Sequence, residues 1–171
     1  FVGDLGGGEA AYGILFGAVF TGLALGIAFG PKIFAQFSRK RLFGASLSMS
    51  GIMLAILALI SNLVLAIFIV TILGFFAGIG WVSGFTMLGL EVEDSKRGRT
   101  FAFVQSLIRI TLVLVLAVAP IIAAAIGEHT YRFRQSVLEY NGASVTLLIS
   151  GVIATLVGVI SFRQMDDRKG I

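Results

Sequence analysis

Leu63-Val64-Leu65-Ala66-Ile67-Phe68-Ile69-Val70-Thr71-Ile72-Leu73-Gly74-Phe75-Phe76-Ala77-Gly78-Ile79-Gly80-Trp81 runs on to Leu90 without one charged residue. A helix rises 1.5 Å per residue, so about 20 apolar residues cross the ~30 Å hydrocarbon core of a bilayer. This stretch is longer than that, so it is expected to tilt or to project into water. Four further apolar blocks flank it, at about 12–29, 42–60, 107–126 and 143–162. None of the five contains Asp, Glu, Lys or His, and Arg109 is the only charge in them. The expected fold is all-α: a polytopic bundle of five transmembrane helices forming a single transmembrane domain over residues 1–171.

Composition agrees. The chain is 57% hydrophobic and 13% charged, with a mean hydropathy of +1.01. Soluble domains carry about a quarter charged residues, which they need to cover their surface. There is no cysteine, which excludes disulfides and thiolate metal or iron–sulfur sites. The single His129 has no neighbouring ligands of the kind zinc needs. The sequence has no phosphate-binding G-x-x-x-x-G-K-[ST] loop and no Ser/His/Asp constellation, so no catalytic site and no cofactor are expected. The net charge of +4 does not point to nucleic acid, because the bases sit between apolar blocks and not along one face. The opening residues lack the basic start of a cleavable signal, and the chain reads as part of something longer.

The placement of the bases sets the expected topology. Lys32, Arg39, Lys40 and Arg41 follow the first block, Lys96, Arg97 and Arg99 follow the third, and Arg163, Arg168 and Lys169 follow the fifth. Those connections fall on one side and hold ten of the 13 Lys and Arg, whereas the other side holds Arg132 and Arg134. The positive-inside rule puts the ten in the cytoplasm, the C-terminus with them, and the opening segment outside. Ser61-Asn62 leaves room only for an antiparallel hairpin between the second and third helices. The connection from Gly127 to Gly142, with Tyr131, Phe133 and Tyr140 among charges, reads as a short amphipathic turn at the headgroups.

Glycine spacing predicts which helices touch. Gly13-x3-Gly17 and Gly22-x3-Gly26-x3-Gly30 lie in the first block, and Gly74-x3-Gly78 and Gly80-x3-Gly84 in the third. Glycines four apart share a helix face and let two backbones approach. These two helices are expected to be interior, and the Leu/Ile-richer second and fifth to face lipid. Pro31 is expected to end the first helix, and Pro120 to kink the fourth.

Polar residues mark the candidate functional positions. The triplet Arg39-Lys40-Arg41 serves as a topology anchor that also touches anionic lipid. The loop Glu91-Val92-Glu93-Asp94-Ser95-Lys96-Arg97-Gly98-Arg99 sets three acids before three bases, so local ion pairs suited to a conformational switch are expected across it. Arg109 has three roles open to it: an interfacial anchor or partner of Glu91, Glu93 or Asp94, a gating or packing contact, and a substrate contact. Trp81, Thr86 and Gln105 either line a polar cavity or pack in the core with their polar groups bonded locally.

Basic inner connections after alternate helices, glycine-rich helices and an inner C-terminus resemble the C-terminal half of a major facilitator superfamily transporter, over the whole chain. The resemblance implies five helices of a six-helix half, the eighth to twelfth of a complete carrier. It also implies an N-terminal transporter half as partner and an unidentified small molecule as substrate. The loop through Arg39-Lys40-Arg41 resembles the family's G-x-x-x-D-r-x-G-r-r/k loop, with Ser38 about where its glycine stands and the aspartate absent, so that pattern's ion-pair latch is not expected here. Arg97-Gly98-Arg99 resembles an element that precedes the eleventh helix in exporter-type members. Arg41-Leu42-Phe43-Gly44, Thr100-Phe101-Ala102-Phe103-Val104-Gln105-Ser106-Leu107, Tyr140-Asn141-Gly142-Ala143 and Arg163-Gln164-Met165-Asp166-Asp167-Arg168 are similar to the membrane region of actinobacterial proteins that fuse such a transporter to a thymidylate kinase. Two functions follow from the resemblance: part of a secondary carrier, or a membrane anchor for a fused kinase.

Overall fold

The computed structural model describes residues 8–126, 129–133, 136–140 and 142–164. Five helices form: α1 (Gly8–Ile33), α2 (Arg39–Leu57), α3 (Leu63–Glu91), α4 (Asp94–Ile126) and α5 (Gly142–Gln164). All five are long and apolar enough to cross a membrane. The spanning architecture is therefore all-helical, as the hydropathy blocks require.

The helix ends depart from the hydropathy boundaries, because hydropathy marks the lipid-soluble part of a helix and not its hydrogen-bonded limits. Pro31 lies inside α1 instead of ending it. Proline removes one backbone donor but keeps a helical φ, and the turn closes through Phe34 N–H donating to the Gly30 carbonyl at 3.0 Å. α2 begins at Arg39, so the basic triplet is its first turn and not a loop. Ser38 caps it, with φ −59° and ψ 136°, and its Oγ accepts from the Arg41 N–H at 3.4 Å. α4 begins at Asp94 and not near Leu107, so Lys96, Arg97, Gly98 and Arg99 are helical. Asp94 in that first turn complements the positive end of the helix dipole. With 33 residues α4 is about 50 Å long, so part of it must stand outside the hydrocarbon. It continues through Pro120.

The short connection between α2 and α3 is the hairpin expected. Asn62 Oδ1 accepts from the backbone N–H of Val64 at 2.9 Å and of Leu65 at 3.2 Å, holding donors that an α-helix start leaves without partners. The connection between α4 and α5, expected as a short amphipathic turn at the headgroups, takes a definite form. It holds two antiparallel strands, β1 (His129–Phe133) and β2 (Ser136–Tyr140), in the register His129 to Tyr140 through Phe133 to Ser136. A hairpin satisfies its backbone groups across the ladder, which a short isolated helix does poorly.

The chain divides into two units, one made of residues 1–87 and 147–171, the other of residues 88–146. The first unit contains α1, α2, α3 as far as Met87, and α5 from Leu147. Its core joins Leu15 of α1, Leu57 of α2 and Ala66 and Val70 of α3, with Val19, Leu54 and Ile67 packed around them. The second unit contains α4 and the hairpin.

Candidate functional site

Two helix pairs in the first unit are held at backbone contact. α1 and α3 meet through the glycines read from the sequence. A Cβ at Gly22 would fall onto the Thr71 carbonyl, and one at Gly26 onto the Phe75 carbonyl. From the other side, a Cβ at Gly74 would meet the Val19 carbonyl and one at Gly78 the Leu23 carbonyl. Gly30 abuts the Ile79 side chain. Residue numbers rise together across this interface, so α1 and α3 are parallel. Among the described residues, nothing lies within 4 Å of such a Cβ at Gly13 or Gly17, so their face of α1 is open there.

The second pair escaped the sequence reading. α2 and α5 do expose Leu/Ile faces, Ile52 and Ile56 on one and Ile153 and Leu156 on the other. They also interlock. A Cβ at Gly44 would lie 2.6 Å from the backbone N of Phe162, one at Gly51 2.6 Å from Thr155 Oγ1, and one at Gly151 2.6 Å from the backbone N of Ala55. Gly158 faces Ser48, with a Cβ 2.5 Å from its Oγ. Here numbers run in opposite directions, so the pair is antiparallel. The signal was present as Gly44-x6-Gly51 and Gly151-x6-Gly158, each with a hydroxyl residue, Ser48 or Thr155, on the same face between them. Two further α3 glycines, Gly80 and Gly84, face Ser46 and Phe43 of α2, with a Cβ at 3.1 Å from each.

The hydroxyls in these interfaces bond to their own helices. Ser48 Oγ donates to the Gly44 carbonyl at 2.9 Å, Thr155 Oγ1 to Gly151 at 2.8 Å and Ser46 Oγ to Phe43 at 2.9 Å. Thr86 Oγ1 donates to the Val82 carbonyl at 2.7 Å. Among the described residues no buried side-chain polar atom lacks a partner. The Trp81 ring packs on Phe85, one turn along α3, with centroids 5.0 Å apart, and is half exposed. Trp81 and Thr86 are five residues apart, about 140° around the helix, so they occupy different faces of α3.

In the second unit the acid–base segment forms the local pairs its sequence requires. Lys96 Nζ lies 3.1 Å from Glu93 Oε2, and Arg97 Nη2 lies 2.7 Å from Asp94 Oδ1. Both are i,i+3 pairs, and their side chains remain largely in solvent. Arg99 and Gly98 continue the first turns of α4. Arg109 and Gln105 share one face of α4, four residues apart, and both are exposed. Arg109 has no ion pair among the described residues. Of the partners open to Arg109, Asp94 is out of reach, because 15 helical residues separate the two by about 22 Å along the axis. Glu93 is engaged by Lys96 instead.

Five helices long and apolar enough to cross a membrane, with Arg109 the one charge away from their ends, define a multi-pass membrane protein. The profile of the Major Facilitator Superfamily matches residues 1–170, and the chain belongs to that family of transporters. No curated protein and no solved structure matches it.

Proposed function

We propose that the chain is part of a secondary carrier that moves a small molecule by alternating access, one helix bundle rocking against another around a site near the bilayer midplane. The observation that supports this beyond family membership is the pair of backbone-contact interfaces, α1–α3 and α2–α5. Rocking needs helices that move as rigid bodies, and carbonyl-on-glycine packing leaves them little freedom to slide. The ten-to-two distribution of bases supports a cytoplasmic C-terminus in the plasma membrane. Arg109 and Gln105 are the polar pair on α4 that a solute path would use, because a guanidinium within a spanning helix faces water, a headgroup or a ligand. The ion pairs at the start of α4 are exposed and weak enough to open between states.

The test compares cells expressing the complete gene product with cells expressing its Gly26→Leu form, across a panel of labelled small metabolites. At least one solute is expected to accumulate or be depleted with the first and not with the second. No difference for any solute would overturn the carrier reading and leave the anchor role that the resemblance to kinase fusions implies. Orientation is tested separately. The chain has no native cysteine, so Ser95→Cys and Ser136→Cys each introduce one site. A membrane-impermeant maleimide applied to intact cells should label the second and spare the first.

A further inference from the structure

We propose that Arg109 and Gln105 bind the oxyanion group, carboxylate or phosphate, of a small organic solute, which makes the carrier one for anions. This rests on the carrier reading above and adds to it the chemical class of the solute. The start of α4 at Asp94 sets Arg109 well inside the helix. It stands 10 residues, about 15 Å, beyond Arg99 and 17 residues, about 26 Å, before Ile126. No other charge lies between those two residues. Their separation exceeds the ~30 Å hydrocarbon by about 10 Å, so the Arg109 backbone lies roughly 5–15 Å inside it. From the shallow end of that range an arginine snorkels to headgroups, so the face it occupies decides its role.

The inner half of α4 is two-sided. Ala102, Gln105 and Ser106 lie within about 60° of Arg109 around the helix, and Phe103, Val104 and Leu107 within about 60° of the opposite direction. A glutamine amide cannot snorkel as an arginine does, and in hydrocarbon it costs free energy. The bulky apolar side therefore takes the lipid, and the side with Gln105 and Arg109 turns toward protein or water. Helical side chains lean toward the N-terminus, which lays the guanidinium back over Gln105. Ser106 adds no donor, because its Oγ already donates to the Ala102 carbonyl at 2.9 Å. The five apolar blocks contain no Asp or Glu, and Arg109 makes no ion pair among the described residues. A cation in such surroundings concentrates anions and repels cations. Its planar fork donates two parallel hydrogen bonds to one carboxylate or phosphate, and the Gln105 amide offers a further donor.

Cells expressing the complete gene product are supplied with labelled monocarboxylates, dicarboxylates and phosphate esters, and with neutral sugars, nucleosides and amines for contrast. The solute moved is expected to carry a carboxylate or a phosphate, and the panel tells which. With that solute in proteoliposomes, Arg109→Gln should raise KM at least about tenfold, since hydrogen bonds to a charged group are lost. Arg109→Lys keeps the charge without the fork and should raise KM less. Gln105→Ala should raise it about two- to tenfold, as for one neutral hydrogen bond. Arg99→Gln, nearer the helix end, should leave it unchanged. Movement of neutral or cationic solutes alone would overturn this inference and leave the carrier reading standing, since Arg109 would then answer to a carboxylate elsewhere in the complete protein. Equal rises in Arg109→Gln and Arg109→Lys would also overturn it, as would a rise in Arg99→Gln matching that in Arg109→Gln. If Arg109→Gln does not fold, unchanged KM in both Arg109→Lys and Gln105→Ala would have the same force. No solute moved at all would overturn the carrier reading, and this inference with it.

Discussion

The α1–α3 and α2–α5 pairs solve one problem in two sequence dialects. Helices in lipid have no hydrophobic drive toward one another, so close backbone approach must supply dispersion and weak Cα–H contacts. In the parallel α1–α3 pair both partners supply glycines four apart, and Gly22, Gly26, Gly74 and Gly78 each meet a carbonyl of the other helix. In the antiparallel α2–α5 pair the glycines stand seven apart, and the position between them carries a hydroxyl residue whose oxygen is satisfied by its own helix. What the interfaces share is the missing Cβ at the point of contact, and the spacing is secondary. A search for four-residue spacing therefore finds one pair and overlooks the other.

Substitutions at these contacts can break the comparison. The largest effect is expected from Gly22→Leu with Gly26→Leu. Both new side chains would enter the α3 backbone, which cannot step aside as a flexible side chain can. A loss well above the usual ~1–3 kcal/mol of overpacking is expected, seen as failure to recover monodisperse protein. Gly51→Leu and Gly151→Leu come next, with losses of at least about 3 kcal/mol in a thermal or detergent-denaturation series. If they were tolerated, the α2–α5 contact would not be the equal of α1–α3. Ser48→Ala keeps the Cβ that Gly158 already accommodates and removes only a self-bonded hydroxyl, so a change within about 1 kcal/mol is expected. The smallest effect is reserved for Gly13→Ala and Gly17→Ala on the open face of α1. Each should be neutral or add up to about 1 kcal/mol, because alanine is the better helix former and meets nothing there. A clear loss at either would show that a partner covers that face.

Much of this could be read in advance, and the misses have physical causes. The five apolar blocks were legible because bilayer thickness imposes a length that short-range competition cannot disguise. The Glu93–Lys96 and Asp94–Arg97 pairs were legible because they join residues one helical turn apart. The start of α4 was not, since Lys96, Arg97 and Arg99 leave the hydrocarbon without leaving the helix. Pro31 was read as a stop, yet in the last turn it forfeits a single bond. The hairpin at His129–Tyr140 hides in a segment whose aromatic and charged residues suit either structure at a headgroup boundary.

By itself, the sequence determined that this chain carries five segments long and apolar enough to cross a membrane, that its bases collect in alternate connections between them, and that α1 and α3 carry faces without side chains. Those properties follow from local composition, because transfer into lipid is priced residue by residue. Which glycines find a partner was decided only in three dimensions. Gly26 meets a carbonyl while Gly17, in the same helix and the same kind of motif, meets nothing. The difference lies in where the neighbouring helix runs, and no spacing within one helix can encode that.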